Sequence, residues 1–298
     1  MALVINHNLM AMNASRNLSN SYDKLGVSTR RLSSGLRVGT AADDAAGLAI
    51  RELMRADISS INQGVRNAND AISMIQTADG ALQVTDEKLI RLKELATQAA
   101  TGTYTSDQRL IIDSEYQAMA SEITRIASAT NFNGIYLLNG NLSSTTHDGT
   151  GLNPVGKIKI HFGTGNHSAE DYYFINIGCA TASALGIGMG ADPTRPDGRS
   201  ISTQDMAQKA LDVINRAIVS KDKIRAQLGS TQNRLQNTVQ NLQIQAENLQ
   251  SAESRISDAD VATEMTEFVR EQILTQSAVA MLSQANSLPK MAMQLIQG

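Results

Sequence analysis

Apolar residues recur every seventh position along both flanks of the chain. From Ile61 the series runs Ile61, Ala68, Ile75, Leu82, Leu89, Ala96, with a second stripe of Val65, Ile72, Ala78, Leu92 and Ala99 beside it. A period near 3.5 keeps one seam against a partner helix. The pattern predicts a helix from about residue 57 to 100, roughly 65 Å long at 1.5 Å per residue. Gly64 and Gly80 lie inside it, each at about 1 kcal/mol relative to Ala, and Gly102 ends it. A second helix is expected from Ser106 or Asp107, both good caps, to about Thr130, with Leu110, Tyr116 or Ala120, Ile123 and Ala127 as its apolar set. On the other flank Leu228, Leu235, Leu242, Leu249 and Ile256 fall seven apart, accompanied by Val239 and Ala246. Ile214 extends that series upstream, with Lys221 as an interruption. Both ends repeat the theme. Ala11, Leu18, Leu25 and Leu32 are seven apart, and Leu274, Ala278, Met281, Ala285 and Leu288 follow helical spacing. Such terminal helices, with narrow seams and few charges, are suited to pair with each other or with copies of themselves.

The junctions carry stop and start signals. Gly35 ends the first helix, Thr40 and Asp43 have capping-box spacing, and Asp44 adds charge suited to a helix start. Ser257-Asp258-Ala259-Asp260 plays the same part before the last helix. The middle changes period to two. Ile135 to Leu138 precedes the turn dipeptide Asn139-Gly140, and Lys157–Phe162 and Asp171–Ile177 alternate, joined by residues 163–168 as a hairpin. Residues 141–154 and 191–200 read as exposed loops, and a helix capped near Thr203 starts at about Gln204. The fold class is mainly α: a long antiparallel helical bundle or coiled-coil rod built from both chain ends, with a small β-hairpin region between. Its expected divisions are 1–42 with 257–298, a terminal helical domain; 43–140 with 200–256, a helical rod; and 141–199, a short surface-facing middle.

Composition narrows the function. The 298 residues have a net charge of −3, 18% charged side chains, 3% aromatics and no Trp. Amides are abundant, with 21 Asn and 20 Gln. The four prolines are Pro154, Pro193, Pro196 and Pro289, and six of the ten aromatics lie between Phe132 and Phe174, so the flanks are free to be helical. One Cys excludes an intrachain disulfide, and with four scattered His it does not build a zinc site. The mild acidity disfavours nucleic acid. No segment has the length of a secretory signal core or a membrane span.

Catalytic chemistry is sparse. Gly186-Ile187-Gly188-Met189-Gly190 lacks the spacing and following helix of a dinucleotide loop and reads as a turn. There is no Glu-x-x-His for a di-iron bundle. His161 and His167 read as surface residues, and Cys179 as small and neutral, without a His–Asp partner arrangement. Ser143, Ser144, Thr145 and Thr146 are loop hydroxyls open to modification. The chain is read as non-enzymatic, with no cofactor and no metal.

The ends resemble bacterial flagellin. The resemblance rests on Ile5-Asn6-His7-Asn8, Arg31-Leu32-Ser33-Ser34-Gly35-Leu36-Arg37, Asp43-Asp44-Ala45-Ala46-Gly47-Leu48-Ala49-Ile50 and Asn67-Ala68-Asn69-Asp70. It continues in Gln76–Leu82, Asn131-Phe132-Asn133-Gly134, Ser254–Asp260, Gln272-Ile273-Leu274 and Gln284-Ala285-Asn286. It implies a filament subunit that is exported through the flagellar type III apparatus without a cleaved signal and self-assembles outside the cell for motility. The terminal helices would pair in an inner tube. Implied partners are copies of the chain, an export chaperone on residues 261–296, hook-associated and cap proteins, and a host Toll-like receptor. Receptor contact maps by resemblance to Arg91, Leu95 and Glu115: a guanidinium fork, an apolar anchor and a carboxylate. The assembly seams are assigned to Leu18, Leu25, Leu32, Leu228, Leu235, Leu242, Leu249, Ile256, Leu274, Met281 and Leu288. A flagellin-like hook–filament junction protein is the alternative. The short middle departs from flagellins with a large outer domain.

Overall fold

A computed structural model describes residues 8–144, 147–148, 155–168, 170–188 and 198–297. In chain order the elements are α1 (Leu9–Ser34), α2 (Ala45–Ala100), α3 (Ser106–Ala129), β1 (Asn131–Phe132), β2 (Ile135–Tyr136), β3 (His147–Asp148), β4 (Val155–Gly156), β5 (Ile158–His161), β6 (Tyr172–Ile175), α4 (Ala182–Leu185), α5 (Gln204–Ser257) and α6 (Val261–Gln297). Two compact units result: Met1–Ile58 with Glu247–Gly298, and Ser59–Ala246.

In the first unit α1 and α6 run antiparallel. Asn8 Nδ2 donates to the Ala285 carbonyl at 2.8 Å, while Lys24 lies 3.8 Å from Glu271 and Arg31 3.6 Å from Glu264, so one numbering climbs as the other falls. On α1 the residues withdrawn from solvent are Ala11, Ala14, Leu18, Ser21, Leu25, Ser28 and Leu32. On α6 they include Glu264, Phe268, Glu271, Thr275, Ala278, Leu282 and Ala285. Both sets step by three and four, as a paired seam requires. Small Ala, Ser and Thr side chains bring the two backbones within 8 Å. The α6 stripe is corrected in part: Ala278 and Ala285 are withdrawn from solvent, whereas Leu274 is 47% and Met281 63% exposed, off the three-and-four spacing of the paired face. The Leu288 side chain lies outside the described residues.

Gly35 closes α1 in the left-handed conformation, its N–H donating to the Arg31 carbonyl at 2.8 Å. The chain then pairs briefly with the α5–α6 junction: Arg37 N–H donates to the Ser257 carbonyl and Ala259 N–H to the Gly35 carbonyl. Buried Arg51 donates to the Val38 carbonyl at 2.7 Å, tying α2 to this crossing. Asp44, and not Thr40, caps α2. Asp43 accepts from the Gly39 and Thr40 N–H groups and closes a turn, while Asp44 caps α2 through Gly47 N–H at 2.9 Å. Asp260 caps α6 through Ala262 and Thr263 N–H.

In the second unit the first α2 series is buried throughout, from Ile61 to Ala96. Its companion is Ala71, Ala78, Thr85, Leu92 and Ala99, which shifts the stripe one residue before Ile72. α3 is capped by Thr105 in a capping box with Gln108, rather than by Ser106 or Asp107. Leu110 is 56% exposed and leaves Tyr116, Ala120, Ile123 and Ala127 as the buried face. One core joins the end of α2 to α3, α4 and the start of α5; another joins mid-α2 to the hairpins and to Leu228 and Leu235. Each fully buried Leu or Ile there contributes about 1.5–3 kcal/mol.

The β5–β6 hairpin is antiparallel, pairing Ile158 with Ile175 and His161 with Tyr172. It lies tightly on α2: a Cβ at Gly64 would sit 2.0 Å from the Phe162 carbonyl oxygen, and Asn67 donates to the His161 carbonyl at 2.9 Å. The expected strand 135–138 stops at Tyr136, and Leu137 and Leu138 turn fully into the core. The loop expected over 141–154 is likewise anchored, since Leu142 is fully buried; residues 145–146 and 149–154 lie outside the described set. In the 191–200 stretch, 191–197 lie outside it, and Gly198 is buried, its carbonyl accepting the Tyr116 hydroxyl at 2.8 Å.

Candidate assembly surfaces

The predicted seam residues fall into three environments. Leu228, Leu235 and Leu242 are core of the second unit. Leu18, Leu25 and Leu32 on α1, and Leu249 and Ile256 on α5, are half-buried. Leu274 and Met281 are exposed and, with Met10, Asn13, Asn17 and Glu271, line an open groove of about 710 Å³ along the α1–α6 pair. Only the last two groups retain area for a second chain. Glu271 is nearly fully buried, and its carboxylate has Lys24 and Arg270 no closer than 3.8 and 3.7 Å.

A second surface lies on α2 and α3. Arg91 Nε and Nη2 donate to Glu115 Oε1 at 2.9 and 2.7 Å, and Nη1 donates to Glu94 at 2.9 Å. The Glu115 carboxylate, then Glu94, holds the guanidinium even more firmly protonated. The structure brings Arg91 and Glu115 together on the exposed surface but separates Leu95 from them. Leu95 is 1% exposed and packed in the core, so it offers no anchor to a partner. It stands next to Ala96 of the buried series and packs with it in the core; the exposed apolar neighbour is Ile90.

The loop hydroxyls divide similarly. Ser143 is exposed and donates to the Gly140 carbonyl, Ser144 is half-buried, and Thr145 and Thr146 lie outside the described residues. Asp171, buried at the hairpin, accepts from the His167 and Gly165 N–H groups, which hold its carboxyl below the usual range. Cys179 Sγ lies 3.3 Å from Thr181 Oγ1. Among the described residues no three His, Cys, Asp or Glu side chains gather as a metal set. Gly186 ends the short α4 in a left-handed turn.

One buried charge shows in the sequence only as an irregularity. Lys221 occupies the heptad position between Ile214 and Leu228, is buried, and donates to Asp86 at 2.6 Å with Asp222 at 2.8 Å. One turn on, Arg225 pairs with Asp79 at 2.7 Å and lowers that carboxyl's pKa. A cation at a single seam position fixes register between helices.

Family comparison follows this architecture. The profile for the bacterial flagellin N-terminal helical region matches residues 5–143, and that for the C-terminal helical region matches 211–296. The chain belongs to the flagellin family. Flagellin FlaB1 of Treponema pallidum (strain Nichols) is 42% identical over 286 residues, 96% of each chain. Flagellar filament core protein flaB2 of Brachyspira hyodysenteriae is 40% identical over 295 residues, 99% of this chain and 100% of that one. Among solved structures, Bacillus cereus flagellin is 29% identical, covering 63% of this chain and 94% of that one at a TM-score of 0.47. A putative flagellar hook-associated protein from Vibrio parahaemolyticus shares the fold, at 14% identity, 72% and 100% coverage and a TM-score of 0.54. Within the flagellin frame, the matched regions hold α1 to α3, most of α5 and α6. Among the described residues no helix is long and apolar enough to cross a membrane.

Proposed function

We propose that the chain is the repeating structural subunit of a bacterial flagellar filament, acting by helical self-assembly rather than by catalysis. The observation that carries this is the α1–α6 pair, which keeps Leu274 and Met281 exposed beside an open groove while belonging to a flagellin family chain. Exposed apolar groups on a narrow helix pair favour burial against further copies, and a heterologous contact that repeats without closing makes a filament. The names of relatives at 40–42% identity, flagellin and filament core protein, support the same role. The junction-protein alternative has weaker support, a 14% identical hook-associated structure.

In this reading the terminal helices form the inner part of the filament, 43–140 with 200–256 the surrounding rod, and 141–199 its outer face. The chain is exported without a cleaved signal, meets a chaperone on residues 261–296, and assembles beside hook-associated and cap proteins. A Toll-like receptor would meet the Ile90, Arg91 and Glu115 patch, with Ile90 in place of Leu95. The deciding test is Leu274→Asp. The expected result is a chain with unchanged helical circular dichroism that forms no filaments by electron microscopy and sedimentation. Normal filaments from that variant would overturn the assignment.

A further inference from the structure

We infer that Arg16 of one copy forms an ion pair with Glu271 in the α1–α6 groove of a neighbouring copy; the inference rests on the self-assembly reading above and names one contact within it. The first observation is an underserved carboxylate. Glu271 is 3% exposed and lines the groove, yet both its ion pairs are loose and go through Oε1, while Oε2 has no hydrogen-bond partner. A buried carboxylate without hydrogen bonds is unfavourable and draws a cation or donor to itself. Its terminal torsion is broad and two-fold, so presenting an oxygen to the groove needs little reorganisation.

The second observation concerns charge along the pair. Histidine apart, residues 1–22 and 272–298 hold two charged side chains, Arg16 and Lys290, both cationic. The other half of the pair, toward the junction, holds all the acidic groups of α1 and α6: Asp23, Glu264, Glu267 and Glu271. Arg16 is exposed and, among the described residues, reaches only the Asn13 Oδ1 at 3.3 Å. Once copies pack around this sparsely charged stretch, Arg16 leaves water and needs a carboxylate that its own half does not contain. The groove supplies one beside the apolar Leu274, and packing of the second copy over it would exclude water and strengthen the pair. The guanidinium fork matches a carboxylate better than the point charge of Lys290. Arg16 stands beside the groove, between the lining residues Asn13 and Asn17. Repeated from copy to copy without closing, as the filament reading requires, the Arg16–Glu271 contact is heterologous and propagates.

The test uses the full chain with Arg16→Gln, Glu271→Gln and both together, reading the critical concentration for filament formation. Each single change is expected to raise it about tenfold, and the double change no further than either one. In parallel, Arg16→Cys chains are mixed with Glu271→Cys chains in a Cys179→Ser background and treated with a short bis-maleimide. Cross-linked pairs are expected in filaments and absent from monomers, with Lys290→Cys chains giving none. Independent effects of the two Gln changes, or cross-linking through position 290 instead of 16, would overturn the pairing and leave self-assembly standing. Failure of the unmodified chain to form filaments would overturn self-assembly itself.

Discussion

Gly64 shows how a single atom positions the β5–β6 hairpin. In an isolated helix, Gly64→Ala would gain about 1 kcal/mol of propensity. Here the added Cβ would meet the Phe162 backbone carbonyl at 2.0 Å, and a backbone cannot swing aside as a long side chain can. The variant is therefore expected to lose about 1–3 kcal/mol, read as a lower urea midpoint, with the hairpin amides of β5 and β6 the first to lose protection. Lys221 makes the opposite case. Its Nζ is buried between Asp86 and Asp222 at a position where the neighbours in the series are Ile214 and Leu228. The partner carboxylates keep water contact, Asp86 at 33% and Asp222 at 58% exposure, so removing the cation leaves no buried charge unpaired while an apolar group of similar shape fills its place. Lys221→Met is expected to hold or raise the unfolding free energy by up to about 2 kcal/mol, whereas Lys221→Ala, which also opens a cavity, lowers it. A fall with Met equal to that with Ala would show the charge itself to be stabilising. Both residues were visible in the sequence as exceptions to a pattern. What each exception does was not, because a close backbone approach and a partner carboxylate come from elements distant in the chain.

At the scale of elements, the heptads were legible because burial on one face of a long helix leaves a period in the sequence. The Ile61 series is buried as expected, and so are Leu228, Leu235 and Leu242 of the other, whose last two members, Leu249 and Ile256, are half-buried. Caps and seam rotation were less legible. Thr105 rather than Ser106 caps α3, and Asp44 rather than Thr40 caps α2, since nearby polar residues differ only in where the backbone turns. Of the α6 stripe, Ala278 and Ala285 are withdrawn from solvent with Thr275, whereas the bulkier Leu274 and Met281 are exposed, since helical spacing alone does not fix how the helix is rotated. The Asp79–Arg225 pair between α2 and α5 sets a pH response. The Arg225 guanidinium holds the folded-state carboxyl of Asp79 below its ordinary 3.8, so in acid the unfolded chain binds the extra proton. The stabilisation is therefore complete above the ordinary value and disappears as pH falls through the folded one. Urea midpoints followed from about pH 6 to about pH 2 should fall less steeply in Arg225→Gln than in the unmodified chain. Parallel curves would remove this pair from the acid response.

The two units differ most in what they bury. Among the described residues of the first unit, the fully buried apolar side chains are Val38 and Ala285, and they are outnumbered by buried Ser28, Arg51, Ser257, Glu271 and Thr275. The second unit buries the leucines and isoleucines of both cores. Since apolar burial offsets most of the conformational entropy of ordering a chain, α1 and α6 have little holding them in an isolated subunit. A long helix pair with a thin seam is marginal on its own. Copies packed along the groove would cover Met10, Leu274 and Met281 and supply the burial that the single chain lacks. Amide hydrogen exchange on monomers should therefore show fast exchange in α1 and α6 against slow exchange in α2, α3 and α5 within 59–246. In filaments the same α1 and α6 amides should slow by at least about tenfold, a modest shift of local opening free energy. Equal protection of both units in the monomer would mean that the polar seam is sufficient by itself. The exposed leucine and methionine would then no longer imply a covering partner, and Leu274→Asp should assemble like the unmodified chain.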